Sequence, residues 1–284
     1  MWSVMLKTRI VTAIVLLAGL LAALFFLSPV AWVVFCALIC ACLGWEWGAL
    51  AKWSGKAQVV YGITLGCLCL VLGLFLLQQM LQGVFFSLWL TAGLFWLLVV
   101  PFWLWRKWPL CRWNAALTGI IVLLPPMLIF IALRNFFSFR ELLMACALVW
   151  VADIAAYFSG RTFGGKKLAP SISPGKTWAG AIGAVIGVLV YCNVMLLFAP
   201  GWLEMRHVLL LQPLFVSLAV WSIIGDLFES LLKRQAGVKD SSNLLPGHGG
   251  VLDRVDSLTS TLSLIGFYFC LKLLFFSIYF SNHP

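Results

Sequence analysis

Negative charge is what this sequence has least of: nine Asp and Glu in 284 residues, against 19 Lys and Arg. All charged residues together make up 10% of the chain, where soluble domains carry about 25%. No polar run is long enough to form an extended soluble domain. Paired cysteine motifs are also missing. The nine cysteines lie mostly in apolar runs with no CxxC set at metal-ligand spacing. They read as small packing residues rather than redox or metal groups. Internal repeats and low-complexity tracts are absent, and so are the inverted repeats that mark many transporters. The net charge of +10 suits anionic lipids and nucleotides as partners. Much of that excess serves membrane topology, so no nucleic-acid partner is expected.

What is there is hydrophobic sequence, 63% of the chain. A transmembrane helix needs about 20 apolar residues. Nine candidate spans follow, near 10–27, 30–50, 59–77, 84–105, 115–133, 141–159, 178–199, 207–232 and 258–280. The expected fold is an all-α, polytopic integral membrane protein with about nine transmembrane helices. Residues 1–140 form an N-terminal group of about five spans. Residues 141–284 form a catalytic region with loops at 160–177 and 233–257. Lys7 and Arg9 precede the first apolar run as in a signal peptide, but no clear A-x-A site follows, so an uncleaved helix is expected. Ser28-Pro29 reads as a tight turn or a kink, and Pro125-Pro126 is expected to kink the fifth span. Trp45, Trp47, Trp53, Trp103, Trp105, Trp108 and Trp113 flank span ends, as interfacial anchors do. With the N-terminus in the cytoplasm, fifteen of the 19 Lys and Arg fall on the cytoplasmic side. Arg134, Arg140 and Arg206 fall outside, and Lys272 lies within the last span. Both motif loops then face the cytoplasm.

Five of the nine acids (Asp226, Glu229, Asp240, Asp253 and Asp256) are concentrated between Gly225 and Asp256. Charge at a membrane edge is costly and marks function by default. Asp226, Glu229, Ser230 and Lys233 follow i, i+3, i+4, i+7, so one face carries them if the helix continues. Asp253 and Asp256 are a second i, i+3 pair. Between them lies Pro246-Gly247-His248-Gly249-Gly250, where glycines allow positive φ and close backbone approach to a ligand. Carboxylates on two helix ends joined by a glycine-rich basic loop suit a divalent cation holding a polyphosphate. The competing reading is a solvated loop whose charges only set topology, which has no use for four aspartates and a His-Gly-Gly.

A second stretch runs from Trp150 to Gly180. Asp153, Tyr157 and Arg161 share a helix face. Asp153 either pairs with Arg161 or serves the nucleotide, a metal or a basic site residue. Gly160-x4-Gly165-Lys166 and Gly175-Lys176-Thr177 are near misses to a P-loop, and neither follows a strand in a βαβ unit. The segment Ser173 to Thr177 is expected to open the next helix, whose N-terminus favours phosphate. In the first 140 residues Glu46 is the sole acid. It is expected to pair with Lys52 or to take part in function.

The pattern Ser230-x-x-Lys233-Arg234-x4-Lys239-Asp240-x5-Pro246-x-His248-Gly249-Gly250-x-x-Asp253-Arg254-x-Asp256 resembles the signature of CDP-diacylglycerol synthases (phosphatidate cytidylyltransferases). Asp153-x-x-Ala156-Tyr157-x-x-Gly160 and Ser173-Pro174-x-Lys176-Thr177 are similar to segments of the same family, from which Ala179 departs. The resemblance implies the reaction CTP + phosphatidate → CDP-diacylglycerol + pyrophosphate, with Mg²⁺ and K⁺ as a second, monovalent cation. It implies a bacterial-type inner membrane location among membrane lipids, and it leaves a homodimer open. The roles it suggests put Asp226, Asp253 and Asp256 on the metal. Lys233, Arg234, Lys239, Asp240, His248 and Arg254 would serve catalysis alongside Asp226 and Asp253. Asp153, Lys166, Lys167, Ser173, Lys176, Thr177, Ser230, Gly249 and Gly250 would serve substrate binding. The alternatives are a CTP-dependent lipid kinase and a cation-coupled transporter. A CDP-alcohol phosphotransferase lacks support, since its Asp-Gly-x-x-Ala-Arg motif is missing.

Overall fold

A computed structural model describes residues 2–197 and 205–282. The chain is helical almost throughout. Helix α1 spans Trp2–Phe26, α2 Pro29–Leu50, α3 Gly55–Leu77 and α4 Gln82–Leu94. A π-helical turn, Phe95–Val99, leads without a break into α5, Val100–Arg106. Helix α6 spans Arg112–Ala132 and ends in a second π turn, Leu133–Phe137, before α7, Phe139–Phe163. A hairpin of β1 (Lys167–Ala169) and β2 (Ser173–Thr177) precedes α8, Trp178–Leu197. Helices α9, Met205–Ala236, and α10, Leu252–Asn282, complete the fold.

Eight helical segments among the described residues are long and apolar enough to cross a membrane, and Ile10–Phe26 is a shorter apolar helix. The protein is therefore an all-α, multi-pass membrane protein, with one short hairpin that the periodicity did not announce. The expected end of the seventh span at 199 lies outside the described residues, as do the side chains of Lys7, Arg9, Arg112 and Arg206. Serines cap the starts of two of the early helices. Ser28 accepts from Ala31 N and Ser54 from Ala57 N, each at a helix start. Ser28-Pro29 is therefore a turn, with Pro at the first helical position, where it loses no hydrogen bond. The Pro125-Pro126 step does not break α6, which stays helical through it.

Helix α6 is the centre of the bundle. Leu123, Leu124, Leu128, Ile129 and Ile131 are buried, and α2, α3, α4 and α10 pack around them. Side chains facing outward, such as Val60, Ile63, Leu98, Ile182 and Val190, are apolar and exposed, as a lipid-facing surface requires. Helices α7 and α8 meet along a seam of small residues. A Cβ on Gly183 would sit 2.0 Å from Ser159 Oγ, and one on Gly187 would sit 2.6 Å from Ala155 Cβ. In lipid, close approach of this kind replaces the hydrophobic drive between helices.

Two contacts place the charged face of α9. Phe228 lies edge-on to Trp96 and Trp103, both at 5.6 Å, and anchors the opposite flank. Gly225 lets α10 approach: a Cβ there would meet Ser260 Oγ at 2.4 Å and the Asp256 carbonyl oxygen at 2.8 Å. Gly225→Ala is expected to destabilise the detergent-solubilised protein by about 1–3 kcal/mol. Thermal unfolding checks this. Gly83→Ala, where nothing lies within 4 Å, should leave the midpoint unchanged or slightly higher.

Candidate active site

The polar loops gather at one end of the bundle. Lys176 Nζ, at the end of β2, stands 2.6 Å from Asp226 Oδ2 on α9. Arg234 Nε donates to the Ile172 carbonyl at 3.4 Å, so the hairpin lies against α9. Gln235 donates to the Trp108 carbonyl at 2.7 Å and brings the α5–α6 linker to the same end. The loop after α9 then folds over α2. Asp226 and Asp253 thus share one end, as a common ion cluster requires.

Helix α9 continues through the motif as expected, and its face carries a chain of contacts. Ser230 Oγ donates to Asp226 Oδ1 at 3.1 Å. Lys233 Nζ donates to Glu229 Oε2 at 2.7 Å and to Asp253 Oδ1 at 2.6 Å, bridging α9 and α10. These three side chains are 13%, 5% and 2% exposed. The other Asp253 oxygen accepts from the backbone N–H groups of Ser241 and Gly250, each at 2.8 Å, and contacts Ser241 Oγ at 2.9 Å. Asp253 therefore ties Lys233 to the glycine-rich loop.

The remaining carboxylates are differently placed. Asp153 on α7, Asp226 on α9 and Asp256 on α10 lie within electrostatic reach of one another, as do Asp256 and Glu229. Oε1 of buried Glu229 has no hydrogen-bond partner among the described residues. Four carboxylates thus interact with one another through space, with Lys176 and Ser230 on Asp226, Lys233 on Glu229 and Ser257 N on Asp256 as their donors. No group of three or more His, Cys, Asp and Glu among the described residues forms a ready metal cage. Mg²⁺ does not need one, since it is held by one or two carboxylates together with substrate phosphates. The oxygen-only set fits such an ion. Arg161 does not pair with Asp153, because its guanidinium donates to the Tyr157 hydroxyl at 2.9 Å. The neighbours of Asp153 are Asp226, Lys176 and Arg254.

The loop itself walls a cavity of ≈ 580 Å³, lined by Lys239, Asp240, Pro246, His248, Gly249 and Arg254 among others. That is within the usual size range for small-molecule sites. Leu245 N donates to the Gly249 carbonyl at 2.8 Å and closes a tight turn. Gly247 (φ 76) and Gly249 (φ 81) supply the left-handed backbone the turn needs. Nδ1 of His248 is buried with no hydrogen-bond partner among the described residues. Lys166 and Lys167 are exposed on the hairpin, and Ser173 is half-buried at the start of β2. Thr177 is buried, and its hydroxyl accepts from Gly180 N at 3.1 Å. The segment Ser173–Thr177 is a strand rather than the opening of a helix, and Thr177, just before Trp178, caps the start of α8.

Glu46 is where the structure departs furthest from expectation. It is fully buried and does not pair with Lys52. Its carboxylate accepts from Ser242 Oγ (2.6 Å), Val251 N (2.9 Å) and Leu252 N (2.6 Å), and contacts Ser241 Oγ (3.2 Å). An isolated acid inside a long apolar helix was the available signal, but the sequence offered no clue to a partner more than 190 residues away.

This fold and site define a class: multi-pass helical membrane proteins with one polar end lined by carboxylates and lysines. More narrowly, a model of the cytidylyltransferase family matches residues 7–274, and the chain belongs to that family. A phosphatidate cytidylyltransferase of Pseudomonas aeruginosa is 40% identical over 265 residues, covering 91% of this chain and 94% of its own. One from Haemophilus influenzae is 36% identical, covering 93% and 99%. One from Brucella suis is 39% identical, covering 92% of both.

Lys233→Met leaves Glu229 and Asp253 buried without their shared cation. Thermal unfolding should show a loss of about 3–5 kcal/mol. Lys239→Met, at the exposed cavity rim, should change stability by less than about 0.5 kcal/mol.

Proposed function

We propose that this protein is a phosphatidate cytidylyltransferase, converting CTP and phosphatidate to CDP-diacylglycerol and pyrophosphate. The observation that carries the reading is the meeting of two basic loops, distant in sequence, over the carboxylates of α7, α9 and α10. Membership of the cytidylyltransferase family and the named relatives support it. The active site faces the cytoplasm of a bacterial-type inner membrane, with the N-terminus on that side. The excess of Lys and Arg in the loops at this end supports that orientation.

The nucleophile is a phosphatidate oxygen, already anionic near neutral pH, so no strong general base is needed. It forms a bond to the CTP α-phosphorus. The α–β anhydride breaks, and its electron pair leaves with pyrophosphate. The difficulty lies in assembling two polyanions and stabilising the charge that develops, so positioning and electrostatics dominate. Lys239 and Arg254 on the cavity wall, with Arg234 beside the hairpin, contact the nucleotide phosphates. Lys166 and Lys167 on the hairpin, with Ser173, hold the lipid phosphate, and the acyl chains enter between helices. His248, through its unpartnered Nδ1, and Asp240 hydrogen-bond the nucleotide, while the open backbone at Gly249 admits it. Ser230 and Lys176 orient Asp226, and Lys233 orients Asp253. Asp226 and Asp256 would hold Mg²⁺, with Asp253 bracing the loop, Asp153 beside them and K⁺ as a second, monovalent cation. When bound, the divalent ion would neutralise charge on the phosphates. The mutual electrostatic reach of Asp153, Asp226 and Asp256 supports this assignment.

Purified protein given α-labelled CTP and phosphatidate should yield lipid-linked CMP and pyrophosphate. CDP with a newly phosphorylated lipid would point to a kinase, and no turnover to a transporter. Asp226→Asn and Asp256→Asn should each lower kcat by roughly 10²-fold or more. Removal of divalent cations should stop the wild-type reaction, and Mg²⁺ should restore it. Turnover close to wild type in either variant would remove that residue from the ion site.

A further inference from the structure

We infer that Glu46, on α2, is the positioning residue of the nucleotide site. It holds the glycine-rich loop and the first turn of α10 from beneath and touches no substrate. The activity arm of this inference rests on the cytidylyltransferase reading; the geometric arm does not.

Glu46 is 0% exposed, and among the described residues no Lys or Arg pairs with it. Its partners are instead donors from one segment, the loop at 241–252. Val251 and Leu252 are the residues at which α10 begins, and their N–H groups have no acceptor inside the helix. A carboxylate is the ligand such a helix end favours. Glu46 fills the position that a substrate phosphate would otherwise take. Phosphate binding at this loop therefore falls to side chains, and Lys239 and Arg254 face the cavity on its other side. The backbone rests directly on the carboxylate. A Cβ on Gly250 would lie 2.0 Å from Ser241 Oγ and 2.4 Å from Glu46 Oε1. The need for glycine at 250 thus comes from Glu46 and Ser241 below the loop. The hairpin lies against α9 and owes nothing to Glu46.

Loss of the carboxylate should therefore loosen the nucleotide side alone. In the full-length protein, Glu46→Gln places an amide N–H₂ against the donors of α10. We expect the KM for CTP to rise about tenfold or more, the loss of a charged hydrogen bond, while the KM for phosphatidate stays within about twofold. Glu46→Asp should recover part of the loss. Ser242→Ala, outside the cavity, should raise the CTP KM about threefold, as for one hydrogen bond. Tryptic cleavage after Lys239 should accelerate in the same order, a readout independent of turnover. If wild-type protein transfers no CMP, the functional reading fails, and the cleavage order still tests the role of Glu46. Wild-type CTP KM and cleavage in Glu46→Gln and Ser242→Ala would overturn the inference, as would equal rises in both KM values. If Glu46→Gln does not fold, Glu46→Asp and Ser242→Ala decide on the same criteria.

Discussion

A helix that starts inside an apolar bundle exposes backbone N–H groups that no carbonyl of its own can reach. In this protein that helix is α10, and the group that satisfies its start is the carboxylate of Glu46. The rest of the polar end depends on that contact. It sets where α10 begins, and so sets which way Asp253, Arg254 and Asp256 project. It draws the loop down until Gly250 rests on the carboxylate, which leaves Lys239, His248 and Arg254 around the cavity. Glu46 and Asp253 both approach Ser241 Oγ, at 3.2 and 2.9 Å, so two acids secure one loop from opposite sides.

Helix α9 works by a different balance. Its charged face cannot stay in a bundle without compensation, which neighbouring side chains supply. Lys176 reaches Asp226 from the hairpin, and Lys233 joins Glu229 to Asp253. The Lys233 pairs, close to full burial, are worth little as net attraction but are costly to break. They therefore act as positional devices. Apolar contacts then fix the height and rotation of the helix, through Phe228 among the tryptophans and Gly225 against α10.

Much of this could be read from the sequence because a membrane imposes strong rules. Long apolar runs gave the helices, and charge asymmetry gave the grouping of loops at one end, which the Lys176–Asp226 and Arg234–Ile172 contacts bear out. The i, i+3, i+4, i+7 pattern from Asp226 to Lys233 gave the face of α9, and the glycines around His248 gave a tight turn with positive φ. The illegible parts are those decided by tertiary partners. Ser173 to Thr177 carries Pro and Gly in a short stretch, and its pairing with Lys167–Ala169 has no periodic signature. The role of Thr177 as the cap of α8, accepting from Gly180 N, depends on the strand that ends there. Glu46 had a local basic neighbour in Lys52, and local spacing could not show that α10 competes for it.

The long span between Glu46 and its partners also bears on how the molecule is made. Glu46 is synthesised 205 residues before Val251 and 206 before Leu252. Chains emerge N-terminus first. Helix α2 therefore enters the bilayer with an acid whose acceptor oxygens have no backbone donor waiting. Every assembly intermediate before the 241–252 segment carries that deficit, which the Ser241 and Ser242 hydroxyls and the start of α10 together remove. Completion of the nucleotide pocket and relief of this early burden are thus the same event.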